Sequence, residues 1–266
     1  MMEVASLFLN RPIALTEASL ALLRVGFQGG GNAEAFLGER MAAPDAPYEV
    51  IEGIAVIPVS GMLLPGSGWS WSGATYYQDI RCSLAAALQD PAVNSIALIV
   101  SSPGGTVSEC FDTADLIYQA RGDKPIWAIL DDVAYSAAYA IASAADFITV
   151  PRTGGTGSIG VVGMHVDVTA SLADAGIKVT TFQYGARKTD SYPTTPLTDP
   201  ARERMQADID EMGEMFVALV ARNRNISPEI VRNTQAATFM GEHGIALGLA
   251  DQIATPQEAI SALLRV

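Results

Sequence analysis

Histidine, lysine and cysteine are all scarce in this 266-residue sequence, which has two histidines, three lysines against thirteen arginines, and two cysteines. Cys82 and Cys110 do not make a disulfide framework, and both fall in segments with helical patterning, where they read as small buried hydrophobes in a reducing compartment. No cysteine or histidine spacing matches a metal-ligand pattern, so no metal is expected. No apolar run approaches the roughly 20 residues needed to cross a bilayer. The opening MMEVASLFLNRPIAL also lacks a charged n-region, a long apolar h-region and a small-residue cleavage site. These absences predict a cytoplasmic protein with no membrane span. Positive charge is short as well: the formal net charge is -13 and no Lys/Arg cluster exists to neutralise phosphates, so nucleic acid is not an expected partner.

What remains suits one large α/β domain with an appendage. Residues 1–46 read as an N-terminal arm and linker, with a short strand or loop and a helix between Leu7 and Val25 and then a Gly-rich link; residues 47–266 read as one catalytic domain. Ile54 to Val59 has strand character, and GMLLPGSGWSWSGAT is a loop whose Trp69 and Trp71 are expected to fold over the core. Strands are expected at Ile96–Val100, Ile126–Leu130, Phe147–Val150, Ile159–Val166 and Val179–Phe182, with helices at Tyr76–Gln89, Val107–Arg121, Ser136–Ala145 and Thr169–Ala175. This alternation implies a largely parallel sheet. A long helix from Asp199 to Asn225 carries Met205, Ile209, Met212, Phe216 and Leu219 on one face.

Ligands of parallel α/β proteins bind beyond the carboxyl ends of the strands, and that rule selects three features. The run Ile126–Leu130, closed by the turn-type pair Asp131 and Asp132, leads to Ser136 at the start of an Ala-rich helix, the placement of a nucleophile or of a simple N-cap. Gly104 and Gly105 follow the Ile96 strand, where backbone N–H groups can approach an oxyanion together with that of Ala137. Lys188 follows the Val179 strand. As the base for Ser136, His165 and His243 have no evident reason to converge on it, and Lys124 and Lys178 sit at the wrong end of their strands; Lys188 is the candidate, with burial needed to lower its pKa and Ser158 able to hold its neutral amine. Acyl transfer of this kind needs no cofactor, and none is expected.

Four stretches in this order, IALIVSSPGGTVSECFDTADLI, AYSAAYAIASAAD, GGTGSIGVVGMHVD and YGARKTDSYPTTPLTD, resemble the Ser-Lys peptidases of the signal peptide peptidase A family. The resemblance runs from about Tyr48 to Ile253, and within the family it is nearest to the capsid-assembly (head maturation) proteases of tailed phages, the protein C type. It implies a Clp/crotonase-like fold of stacked ββα units with a helical C-terminal region. It also implies Ser136 as nucleophile, Lys188 as general base, Ser158 as the residue orienting that lysine, and Gly104, Gly105 and Ala137 as the oxyanion region. The activity implied is that of a serine endopeptidase cutting scaffold, portal or capsid proteins in the host cytoplasm or inside the prohead. Family members form rings, so a cyclic homo-oligomer with serine and lysine drawn from adjacent subunits is implied too. Two departures stand out: Ala137 and Ala138 follow the nucleophile where glycine is frequent, and SSPGG replaces Asn-Ser-Pro-Gly-Gly. The competing readings are a signal-peptide-degrading peptidase of the same family, a catalytically silent assembly scaffold, and acyl-CoA chemistry.

Overall fold

Branched and aliphatic runs that alternate with helical segments assemble into one sheet covered on both faces. The computed structural model of the chain describes residues 13–15, 47–67 and 73–266. Trp69 and Trp71, and the helix expected in the arm, fall outside those residues. In chain order the strands are β1 (Ile13–Leu15), β2 (Glu49–Ile51), β3 (Ile54–Leu64), β4 (Ala74–Tyr76), β5 (Ser95–Thr106), β6 (Ile126–Tyr135), β7 (Phe147–Val150), β8 (Gly155–Gly157), β9 (Thr238–Met240) and β10 (Gln252–Ile253). The helices are α1 (Tyr77–Gln89), α2 (Cys110–Gln119), α3 (Ala137–Ser143), α4 (Thr169–Asp174), α5 (Asp199–Arg224), α6 (Pro228–Asn233), α7 (Glu242–Ala246) and α8 (Pro256–Leu263).

The sheet order is β10-β7-β6-β5-β3-β2, parallel except for the β2–β3 hairpin; β1 is added on β5, β4 on β3, and β8 with β9 on β6. Both faces of β5 are buried, as a parallel strand requires. Ile96, Leu98 and Val100 enter the main core with Tyr77, Ile117, Tyr139 and Phe216, while Ala97 and Ile99 meet Ala259 and Leu263 of α8 on the other face. This is the α/β class the sequence indicates.

Helix α1 buries Tyr77, Ile80, Leu84 and Ala87, one stripe at helical spacing. Cys82 lies off that stripe and is exposed, which corrects the expectation that both cysteines are buried; Cys110 is. Helix α5 begins at Thr198, whose hydroxyl accepts from the Ala201 N–H, and ends at Asn225 with φ 53°. Apart from Ala201 in its first turn, the helix is buried only near its C-terminus: Phe216, Val217, Leu219 and Val220 are buried, whereas Met205, Ile209 and Met212 are half-buried.

The strands depart from expectation above the middle of the sheet. β5 does not end at Val100 but continues through SSPGG, because after an irregularity Gly104 and Gly105 pair with Met62 and Leu63 of β3. A Cβ on Gly105 would lie 1.9 Å from the Leu63 carbonyl oxygen, so only glycine allows this approach. β6 likewise runs on to Tyr135, and Asp131 and Asp132 are exposed strand residues instead of a turn, since Val133 to Tyr135 gain β8 as a partner. The glycine-rich segment PRTGGTG that follows β7 contains β8 itself. Neither Ile159–Val166 nor Val179–Phe182 forms a strand: the first has only an isolated bridge at Val162, and 179–188 is exposed throughout.

Candidate active site

Ser136 stands where β6 ends and α3 begins, and its backbone is held in a form few residues adopt. Its φ is 54° and its ψ -120°, a conformation that costs a non-glycine residue about 1–3 kcal/mol and persists only where the surroundings enforce it. The enforcement is visible. The Ser136 N–H donates to the Gly157 carbonyl at 2.9 Å, and the Ser136 carbonyl accepts from the Ala140 N–H at 3.0 Å. A serine that merely capped the helix would accept a hydrogen bond from the first turn, but the Ser136 side chain makes no such bond; its Oγ lies 3.4 Å from the Gly160 carbonyl.

The β6–β8 register, Tyr135 opposite Gly157, sets Ser158 beside Ser136. Ser158 also has φ 54°, donates its N–H to the Ala237 carbonyl at 2.8 Å, and is nearly buried. On the other side, the last β5–β6 pair is Ser102 with Ala134, which puts Gly104 level with Ser136. The Gly104 N–H donates to Ser102 Oγ at 3.1 Å, and that hydroxyl donates to the Gly61 carbonyl at 2.6 Å. Ser102 is therefore a residue of the site that sequence reading passed over, its one signal being the serine pair ahead of Pro103.

The far end of α3 is fixed as firmly. Every residue of this helix is buried, so its last carbonyls have no water to meet. Arg121 supplies the donors: Nε to Ala144 O at 2.9 Å, and Nη2 to Ser143 O at 3.0 Å, Ala145 O at 2.5 Å and Asn223 O at 3.1 Å. Asn223 adds a bond to Ser143 Oγ, and the Tyr139 hydroxyl donates to Leu249 O at 2.8 Å. Beside Ala137, Cys110 Sγ lies 3.6 Å from that residue's carbonyl. Burial pushes the Cys110 thiol up to about 12, so it stays a neutral packing group and no rival nucleophile.

Ser136, Ala137, Ser158, Gly104 and Gly105 are thus brought together by sheet register. Lys188 is not joined to them within one chain. It lies in an exposed turn, its N–H bonded to Gly185 O at 3.2 Å, and no hydrogen bond among the described residues links its amine to Ser136 or Ser158. The burial expected for a lysine base is accordingly not supplied by the single chain. Its surroundings carry apolar side chains facing outward, with Phe182 93% and Tyr184 101% exposed. His243 is exposed in α7, and neither ring nitrogen of His165 has a hydrogen-bond partner among the described residues. A cavity of about 690 Å³ lies between His165, the Arg187–Ser191 turn and Met205, Ile209 and Met212 of α5, and Ser136 does not line it. No helix among the described residues is long and apolar enough to cross a membrane.

Residues 119–265 match the model of peptidase family S49. The chain is 38% identical to the head-tail preconnector protein GP5 of Enterobacteria phage P21, over 96% of this chain and 52% of that protein. It is 33% identical to capsid assembly protease C of Escherichia phage lambda, over 98% of this chain and 65% of that protein. It therefore spans between about half and two thirds of these relatives. Among solved structures, an enoyl-CoA hydratase/isomerase family member aligns with 82% of this chain and 73% of its own at 17% identity and a TM-score of 0.45.

Proposed function

The chain belongs to peptidase family S49, and from that premise we propose that it is a serine endopeptidase using a Ser136–Lys188 dyad to cut scaffold, portal or capsid proteins during phage or prophage head assembly. The observation that carries the serine is its conformation: a buried residue in a strained backbone, with its hydroxyl withheld from helix capping. The phage setting is taken from the two relatives named for capsid assembly and the head-tail preconnector.

In the proposed reaction the Ser136 Oγ attacks a peptide carbonyl carbon while its proton passes to the neutral Lys188 amine. The tetrahedral oxyanion is met by the Ala137 N–H and by that of Gly104 or Gly105, the Gly104 N–H turning from Ser102 Oγ to do so. The C–N bond then breaks, the lysine returns its proton to the leaving amine, and water hydrolyses the acyl-serine by the same route in reverse. Ser158 orients the lysine amine.

An ammonium cannot accept that proton, so Lys188 must be desolvated. The outward-facing Phe182, Tyr184, Ile177 and Val179 around it are the surface a second copy would cover. The working form is accordingly a cyclic homo-oligomer in which one subunit's Lys188 completes another's Ser136 site, and residues 47–266 form the peptidase domain. The experiment is to mix Ser136→Ala protein with Lys188→Ala protein under conditions of subunit exchange. Regained hydrolysis of a casein substrate is expected. Silence despite proven exchange would refute the shared dyad, and hydrolysis by Ser136→Ala alone would remove the nucleophile.

A further inference from the structure

A strand has two edges, and those of β5 near the nucleophile are both occupied. At Gly104 and Gly105 one edge is taken by Met62 and Leu63 of β3. The other belongs to β6 only as far as the pair Ser102–Ala134, because two residues later the chain turns at Ser136 into α3. The edge that β6 vacates is filled from the N-terminal arm: β1 runs antiparallel, with Ile13 opposite Thr106, Ala14 opposite Gly105 and Leu15 opposite Gly104. Since Gly104 is level with Ser136, Leu15 is level with it too. Among the described residues β1 pairs with β5 alone.

This is the slot a peptide must enter. A carbonyl presented to Ser136 and to the Gly104–Gly105 backbone has to arrive in extended form along that edge, where main-chain hydrogen bonds accept any sequence. Yet Ser136 is 1% exposed and Gly104 and Gly105 are buried, so no substrate carbonyl reaches the hydroxyl unless something moves. Strand β1 has only three residues and, among the described residues, is bonded on one side, so few hydrogen bonds hold it in place.

We infer that Ile13–Leu15 is an internal occupant of the substrate slot: the chain masks its own nucleophile, and a protein substrate gains access by replacing β1 as an antiparallel strand on Gly104–Thr106. The inference rests on the reading of Ser136 as nucleophile.

The test compares the full chain with its Ala14→Pro variant, which removes a strand N–H. The readout is the second-order rate of Ser136 labelling by a fluorophosphonate, which reports access to the hydroxyl without requiring peptide cleavage. A rise of about tenfold or more is expected in Ala14→Pro, and a synthetic peptide spanning residues 11–17 should lower the variant's rate again in a saturable way. An unchanged or slower rate with an unchanged melting temperature overturns the inference while leaving the peptidase reading intact. Absence of labelling in every form, the variant included, overturns both. If the variant does not fold, the wild-type chain decides: modifying Ser136 with a peptidyl phosphonate should speed amide hydrogen exchange at residues 13–15. Unaltered exchange on a fully modified protein overturns the inference.

Discussion

Ser136 is fixed from two directions by backbone hydrogen bonds and sits at the head of a wholly buried helix, whereas Lys188 lies in a stretch, 173–188, in which every residue is exposed. The first region is made by the fold itself. Its position follows from the registers of β5, β6 and β8, so it exists in each copy of the chain. The second has apolar side chains that no described residue covers. In the proposed reaction the two must meet; on that proposal the nucleophile is built into the core and the base is left to assembly, so that a free subunit would be safe.

The comparison breaks first on activity. Ser136→Ala should lower hydrolysis by about 10³-fold or more while the melting temperature stays within a few degrees, since the hydroxyl caps nothing; steady-state rates and a thermal scan on the same preparation check both. Lys188→Arg should be as inactive as Lys188→Ala, because a guanidinium with a pKa above about 12 cannot act as base, and in denaturant titration both should stay within about 0.5 kcal/mol of the parent. Turnover by the arginine variant would mean the lysine supplies only charge.

Next in size is a change on the core side alone. Gly105→Ala brings a Cβ to 1.9 Å from the Leu63 carbonyl oxygen and should cost about 3 kcal/mol by urea unfolding. A loss under about 0.5 kcal/mol would show that the strand tips yield more easily than their pairing suggests. The cysteines sharpen the same contrast without mutation: a thiol reagent should modify exposed Cys82 in the native protein and leave Cys110 untouched until unfolding, because burial holds that thiol near 12. The smallest effect on stability belongs to Phe182→Ser, within about 0.5 kcal/mol for the isolated subunit; sedimentation should nonetheless show weaker self-association. An oligomer unaffected by that change would remove this face from the interface.

The lower half of the sheet was readable from residues because its strands bury both faces and say so with Ile, Leu and Val. Ser136 was readable for a related reason: a strand, a break and an alanine-rich helix leave few places for a hydroxyl at the joint. The upper half was not. SSPGG and Asp131–Asp132 have the composition of turns, and only pairing with β3 and β8 keeps them extended. Strand β8 is Gly-Thr-Gly, with no apolar signal at all; it forms because β6 and β9 flank it. The reverse holds at Ile159–Val166 and Val179–Phe182, whose alternation suggests sheet although neither forms a strand. Alternation reports that a face is meant for burial, and it does not say against what. For Phe182 no covering surface is present among the described residues.

Two irregularities lie at one level of the sheet, between Ser60 and Met62 in the β3–β5 ladder and between Val100 and Ser102 in the β5–β6 ladder. Together they form a crease. A one-residue slip in an uninterrupted ladder would turn every inward side chain outward, but here one extra residue of β5 and two of β6 are absorbed locally. Register above the crease is thereby uncoupled from register below it. The tips that hold Gly104, Ala134 and their neighbours can change length or composition while Ile57, Leu98 and Leu130 keep facing the same core, so the lining of the candidate site can vary with its foundations undisturbed.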